Sequence, residues 1–296
     1  TNMSTGAVNI AIGYGALCGS STAADNTGNL NVAIGCDAGK VITSGGYNIL
    51  IGDKAGDAIT TGSNLIAIGK NALSAEDTNT SGSIAIGEDA LKVQNTTGLG
   101  NVAVGKDAGK AVTSGGENTY IGYSAGSGTT GSKNVVIGTL ALTASGSSEE
   151  NVVIGRDAGR NTTGSQNTIV GDAAGDASGD GSYNTFIGKN SGSAVTDGDK
   201  NTFLGYGSGD AVTTGCCNVV LGHGADVASA TGNNQLAIGI DSNNWITGDS
   251  SYNVTVGGTL TATSVASSAN GMRKITASTS PPSGGSDGDI WIKYTA

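Results

Sequence analysis

Asn31-Val32-Ala33-Ile34-Gly35, followed by Cys36-Asp37-Ala38-Gly39, is the phrase that decides the fold. It returns along the chain. A run of three residues, mostly apolar, closes on a glycine at Gly13, Gly35, Gly52, Gly69, Gly87, Gly105, Gly122, Gly138, Gly155, Gly171, Gly188, Gly205, Gly222 and Gly239, 14 copies in all. After a first spacing of 22 residues, the rest fall between 16 and 18. A fixed period of this length is the signature of stacked repeats that bury one continuous core. It predicts an all-β parallel solenoid, a β-roll of about 14 coils.

Aligned on its glycine, each copy carries Ile, Val or Leu one residue before it and Ile, Val, Leu or Thr three before it. Side chains alternate along a strand, so these two share a face. The reading assigns that face to the coil interior, with Ile34, Ile51, Ile68, Ile121, Ile154 and Ile187 as core. The residue two before the glycine then points outward, and it too is apolar in every copy. Strands apolar on both faces are covered on both faces. Ala33, Leu50, Tyr120, Val136, Val153, Ile169, Phe186, Phe203 and Val220 are therefore expected to form an oligomer interface. The change from Ala to Tyr, Phe and Val along that file implies chains standing further apart there.

Asn lies four residues before the glycine in 11 copies and reads as a turn residue tolerant of left-handed backbone that bonds nearby main chain. The glycine itself marks a strand end where a Cβ would clash or φ is positive. Three residues after it, Ala or Ser forms a small inward position, followed by Thr/Ser/Gly connectors such as Thr60-Thr61-Gly62. About 17 residues leave room for two short strands and two turns per coil.

These repeats resemble the heads of trimeric autotransporter adhesins and the rods of phage and algal-virus tail-fibre proteins, over about residues 7 to 240. The resemblance implies a left-handed β-roll assembled as a homotrimer, a rod of a virion tail fibre that contacts a host-surface receptor, a glycan among the candidates, alongside other fibre or virion proteins. The coils here are longer than in adhesin heads. A cell-surface adhesin head or extracellular filament is the alternative, with a polysaccharide-cleaving spike a further one.

Composition fits a narrow coil. Gly accounts for 52 of 296 residues and aromatics for 4%. The net charge of −10 lacks the basic stripe that a nucleic-acid surface needs. No run of 18 apolar residues offers a membrane helix.

Chemistry is sparse. The single histidine, His223, sits one after the anchor glycine, an outward position, so no Ser-His-Asp or Cys-His arrangement has a second imidazole to use. Gly105-Lys-Asp-Ala-Gly109-Lys110 falls short of the phosphate-loop spacing. Asp37, Asp89, Asp107 and Asp157 read as a solvated charge file with partial compensation rather than paired catalytic acids. Asp176, Asp180, Asp197 and Asp199 read as acidic turns, with a weak cation site as the other reading. Ranked Thr pairs are too interrupted for an ice-binding face. Cys18, Cys36 and the adjacent Cys216-Cys217 form neither a disulfide framework nor a zinc pattern, though an inter-chain disulfide is one reading of the pair. No catalytic, cofactor or metal residue is assigned, and the chain is read as no enzyme.

The repeat domain spans 1–240, with a protruding loop from Ser20 to Gly28. Residues 241–262, with Trp245 and the alternating Asn253-Val-Thr-Val-Gly run, are the expected capping β segment. Residues 263–296 read as linker and a docking strand at Asp289–Tyr294.

Overall fold

The computed structural model describes residues 8–22, 26–75, 81–95, 100–144, 146–258, 275–278 and 290–293. The middle of the Ser20–Gly28 loop, the linker expected at 263–273 and most of the one expected at Thr276–Asp289 lie outside them; Thr276–Ser278 of the latter are strand instead. Two compact units are present, Thr1–Gly257 and Gly258–Ala296. Residues 241–257 therefore belong to the repeat unit rather than to a separate body.

The first unit is a parallel β-solenoid, and the described residues contain no helix. Its strands are three residues long, one per repeat, from Ile10–Ile12 (β1) and Val32–Ile34 (β2) to Thr185–Ile187 (β11), Thr202–Leu204 (β12) and Val219–Leu221 (β13). Each pairs in parallel with the next, like on like: Ala33 lies against Leu50, Phe186 against Phe203. After Leu236–Ile240 (β14) the direction reverses, and Asn243–Gly248 (β15) and Val254–Val256 (β16) add antiparallel. In the second unit Ile275–Ser278 (β17) pairs in parallel with Ile290–Lys293 (β18), which falls within the expected C-terminal strand.

The far side of the coil is not a second strand. Left-handed residues two and four after the anchor glycines from Gly13 to Gly205, such as Asp89 and Leu91 (φ 57° and 46°), break the extended run. The turns still ladder from coil to coil, with Gly109 N–H donating to Ala125 C=O at 2.9 Å and Thr43 N–H to Thr60 C=O at 2.9 Å. Two isolated parallel bridges, Ser63–Ser81 and Thr129–Gly146, are what remains of a second strand among the described residues.

The anchor glycine is required twice over. Gly35 has φ +138°, and a Cβ there would lie 2.4 Å from the carbonyl oxygen of Gly52 in the next coil. Only glycine allows that conformation and that approach together.

The two faces of the strand are the reverse of the sequence reading. Ala33, Leu50, Tyr120, Val136, Val153, Ile169, Phe186, Phe203 and Val220 are wholly buried inside the single chain. They are core, not interface. Ile34, Ile51, Ile68, Ile121, Ile154 and Ile187 point outward; Ile121 and Ile187 keep 39% and 37% of their surface exposed and the others are half-buried. The physical reason is the coil's small cross-section. A three-residue strand between tight turns admits one inward side chain, and opposite it sit the small Ala or Ser three after the glycine and an apolar residue such as Ile42, Ile59 or Val112.

That core also explains the change from Ala to aromatic residues, which has nothing to do with splayed chains. Wherever the inward residue is Leu50, Tyr120, Ile169, Phe186 or Phe203, the residue six later is glycine: Gly56, Gly126, Gly175, Gly192, Gly209. A Cβ on Gly126 would lie 2.1 Å from the Tyr120 ring, and one on Gly209 2.5 Å from Phe203. In coils with Ala67 or Ala85 that later position holds Leu73 or Leu91, both buried. One side chain of the pair fills the space and the other yields it. Phe186 and Phe203 stack at 5.2 Å along the axis.

The recurrent Asn is also inside. Left-handed backbone belongs to the residue before it (Leu30, Tyr47, Glu117), while Asn31, Asn48 and Asn118 are 0–1% exposed. Asn31 Oδ1 accepts from Asn48 N–H at 3.1 Å, and Asn48 Oδ1 accepts from Leu65 N–H at 3.0 Å. Each Nδ2 donates to a connector carbonyl, as Asn31 does to Gly45 at 2.9 Å and Asn48 to Gly62 at 2.9 Å. The main chain is thereby satisfied one coil away, where a buried orphan would cost about 1–3 kcal/mol. The file lapses at Leu65 and Ser83, and Gln94 reaches in, donating to Ser83 Oγ at 3.0 Å and accepting from Asn101 at 3.2 Å.

Candidate functional surface

The outward face of the sheet carries two columns, an apolar one a single residue before each anchor glycine and a second, three before it, that is apolar except at Thr119, Thr168, Thr185 and Thr202. Ile10, Ile12, Ile49, Ile86, Ile121, Val152, Ile187, Leu204 and Val219 are its most exposed members. With strands about 4.8 Å apart and the two columns about 7 Å apart, the stripe is roughly 60 Å long and of order 400 Å². That is the size of the largest apolar patch on a typical monomer, which is often an interaction site. Sequence alternation separates these residues from the inward file but does not say which of the two is inside.

Around the next corner runs the charge file. Asp37, Asp89, Asp107 and Asp157 lie two after their glycines, and a cation three residues on folds back onto each: Lys40 at 3.3 Å, Lys92 at 3.2 Å, Lys110 at 2.7 Å and Arg160 at 3.7 Å. Arg156 bridges coils to Asp172 at 2.8 Å. Burial alone would raise the Asp89 carboxyl, but hydrogen bonds from Asn71, Lys110 and Lys92 hold it at about 2. These acids are ion-paired, as the sequence led one to expect, but they are not solvated: their side chains are only 14–17% exposed.

The acidic turns do local work. Thr163 Oγ1 donates to Asp180 at 2.5 Å, and Ser182 N–H donates to Asp199 at 2.7 Å. Burial raises the Asp176 carboxyl. Among the described residues no three His, Cys, Asp or Glu side chains gather in a metal-holding group.

His223 faces solvent as expected, but not alone. Its ring stacks on Tyr206 at 4.9 Å, and Nδ1 lies 3.1 Å from Asp241 Oδ1. Nearby, a cavity of about 480 Å³ opens between the last turn and the antiparallel strands, lined by Asp226, Val227, Leu236, Asn244, Asp249 and neighbours. Burial pushes the Asp226 carboxyl up, although it accepts N–H groups from Ala211 and Val227, each at 2.9 Å. Nothing in the repeat spacing pointed to this cavity, because it arises where the repeat stops.

Trp245 is 58% exposed, so its indole does not cover the last coil. Strand alternation turns it to the solvent side, while Ile246 on the other face is half-buried. Cys18 and Cys36 are free and exposed; Cys216 and Cys217 are free and half-buried.

Comparison with protein-family models, curated proteins and solved structures returned no match in any of the three.

Proposed function

We propose that the chain is a non-enzymatic structural rod whose sheet face is covered by further copies of itself. One observation carries this reading: the stripe of Ile, Val and Leu, interrupted by Thr119, Thr168, Thr185 and Thr202, on an in-register parallel sheet. At roughly 400 Å² it supplies about half of the ~800 Å² that each partner contributes to a stable interface. A second copy has the same coil pitch, so it matches the stripe coil for coil along its whole length, which an unrelated surface does not.

The number three, and a place in an extracellular fibre such as a virion tail fibre, follow from the resemblance to adhesin heads and tail-fibre rods. On this reading the stacked coils supply reach and stiffness. The outward residues after each glycine (Tyr14, Tyr123, Tyr206 and their varied counterparts) and the connectors contact a host surface. The antiparallel strands β15 and β16 act as the cap, ending parallel addition at that end of the rod.

The test is solution mass by light scattering during size exclusion, with and without reductant. About three times the 28.7 kDa chain mass in both conditions supports the reading. A stable, non-aggregating monomer overturns it.

A further inference from the structure

Two adjacent thiols remain unused by the rod. Cys216 and Cys217 close the connector that leads into Asn218 and β13, and the Cys217 thiol donates to Cys216 Sγ at 3.5 Å. In an extended strand neighbouring side chains point to opposite faces. Here Cys217 is left-handed, with φ 63°, and the two sulfurs meet.

The backbone holds them there. Cys216 N–H donates to Asn233 Oδ1 at 2.8 Å, and Cys217 N–H to the Asp199 carbonyl at 2.9 Å. Immediately after them Asn218 is locked into the buried Asn file through Asn201 and Gly232. A disulfide requires about 2.05 Å between sulfurs. At 3.5 Å the pair is too far apart to be bonded, yet close enough for one larger atom to bridge.

We propose that Cys216-Cys217 is a preorganised two-thiol site for a trivalent thiophilic centre, of which a trivalent organoarsenical is the representative ligand. The reaction is a condensation. Each S–H exchanges with an As–OH group, so two S–As bonds form, two As–O bonds break and two waters leave, with no change in oxidation state. The neighbouring Cys217, with burial adding to it, pushes the Cys216 thiol up. Cys18 and Cys36 make no thiol–thiol contact among the described residues and offer single sulfurs.

Phenylarsine oxide is the probe, used on the full chain and read by intact mass and peptide mapping. One phenylarsenic group per chain is expected, mapping to the peptide that holds both cysteines. It should survive excess monothiol and be removed by a dithiol. Cys18→Ser with Cys36→Ser should keep it, whereas Cys216→Ser or Cys217→Ser should lower retention at least tenfold, with circular dichroism confirming the fold. Mapping on the unmutated chain decides the matter even if a variant misfolds. No stable adduct, or an adduct on Cys18 or Cys36, overturns the proposal.

Discussion

The coils closing at Gly87 and Gly205 fill the same narrow interior in opposite ways. In the first, Ala85 is the inward strand residue and Leu91 fills the space from the turn; in the second, Phe203 fills it from the strand and Gly209 withdraws. Both turn residues are left-handed, at φ 46° and 63°. Backbone geometry is therefore held constant while volume is traded between two positions. The lesson is that volume is shared between the two positions and between coils: where both are small, as at Ala103 and Gly109, Leu91 and Tyr120 of the neighbouring coils close on the space.

Breaking one half of the pair gives the largest expected effect. Phe203→Ala should destabilise by about 3–5 kcal/mol, since it empties a ring from a core that closes poorly. Adding Gly209→Leu should recover part of it, converting this coil to the Ala85–Leu91 type. Chemical denaturation of the two variants and the double mutant measures the coupling, and simple additivity would refute the volume trade. The reciprocal overpacking, Gly126→Ala beside Tyr120, should cost roughly 1–3 kcal/mol, read in the same denaturation series.

The Asn file offers a second contrast, between Asn151 and the natural break at Leu65. Asn151 accepts from Asn167 N–H at 2.9 Å and donates to Gly164 C=O at 3.1 Å. Asn151→Leu orphans both and should cost on the order of 2 kcal/mol. Leu65→Asn should be close to neutral or stabilising. Urea midpoints compared at constant m-value check both.

Acid titration sharpens the comparison of buried and exposed charges. Asp89 is held at about 2 in the folded chain, below its ordinary value of 3.8. A depressed folded pKa contributes stability that is complete above the unfolded value and lost as pH falls through the folded one. The melting-temperature gap between wild type and Asp89→Asn should thus be full at pH 6 and close between pH 4 and 2. Arg156→Ala, on the exposed flank, should leave the melting temperature unchanged within error.

Much of this was legible in the residues. The glycine period named the solenoid, and the anchor glycine was expected to answer either a positive φ or a close approach; Gly35 answers both. The faces were not, because alternation says which side chains share a face and is silent on which face is inside. The deciding signal was present as the reciprocity of Leu, Ile, Tyr or Phe with a glycine six residues later. It emerges only when both positions are compared within one coil. The Asn partners were hidden for a different reason: a ladder that closes one coil away has no local signature. The second strand was overcalled although glycines such as Gly39, Gly56, Gly109 and Gly126 mark the left-handed position four after the anchor; Asp89 and Leu91 show that other coils take the same backbone without that mark.

The central claim is that Val153 lies inside the coil while its neighbour Ile154 faces a partner chain. Val153→Lys and Ile154→Lys, compared by circular dichroism and light scattering, test it most directly. The account predicts that Val153→Lys unfolds the surrounding coils, whereas Ile154→Lys keeps its β signal and loses mass toward a single chain. A folded, dissociated Val153→Lys beside an unfolded Ile154→Lys would contradict it and turn the coil inside out.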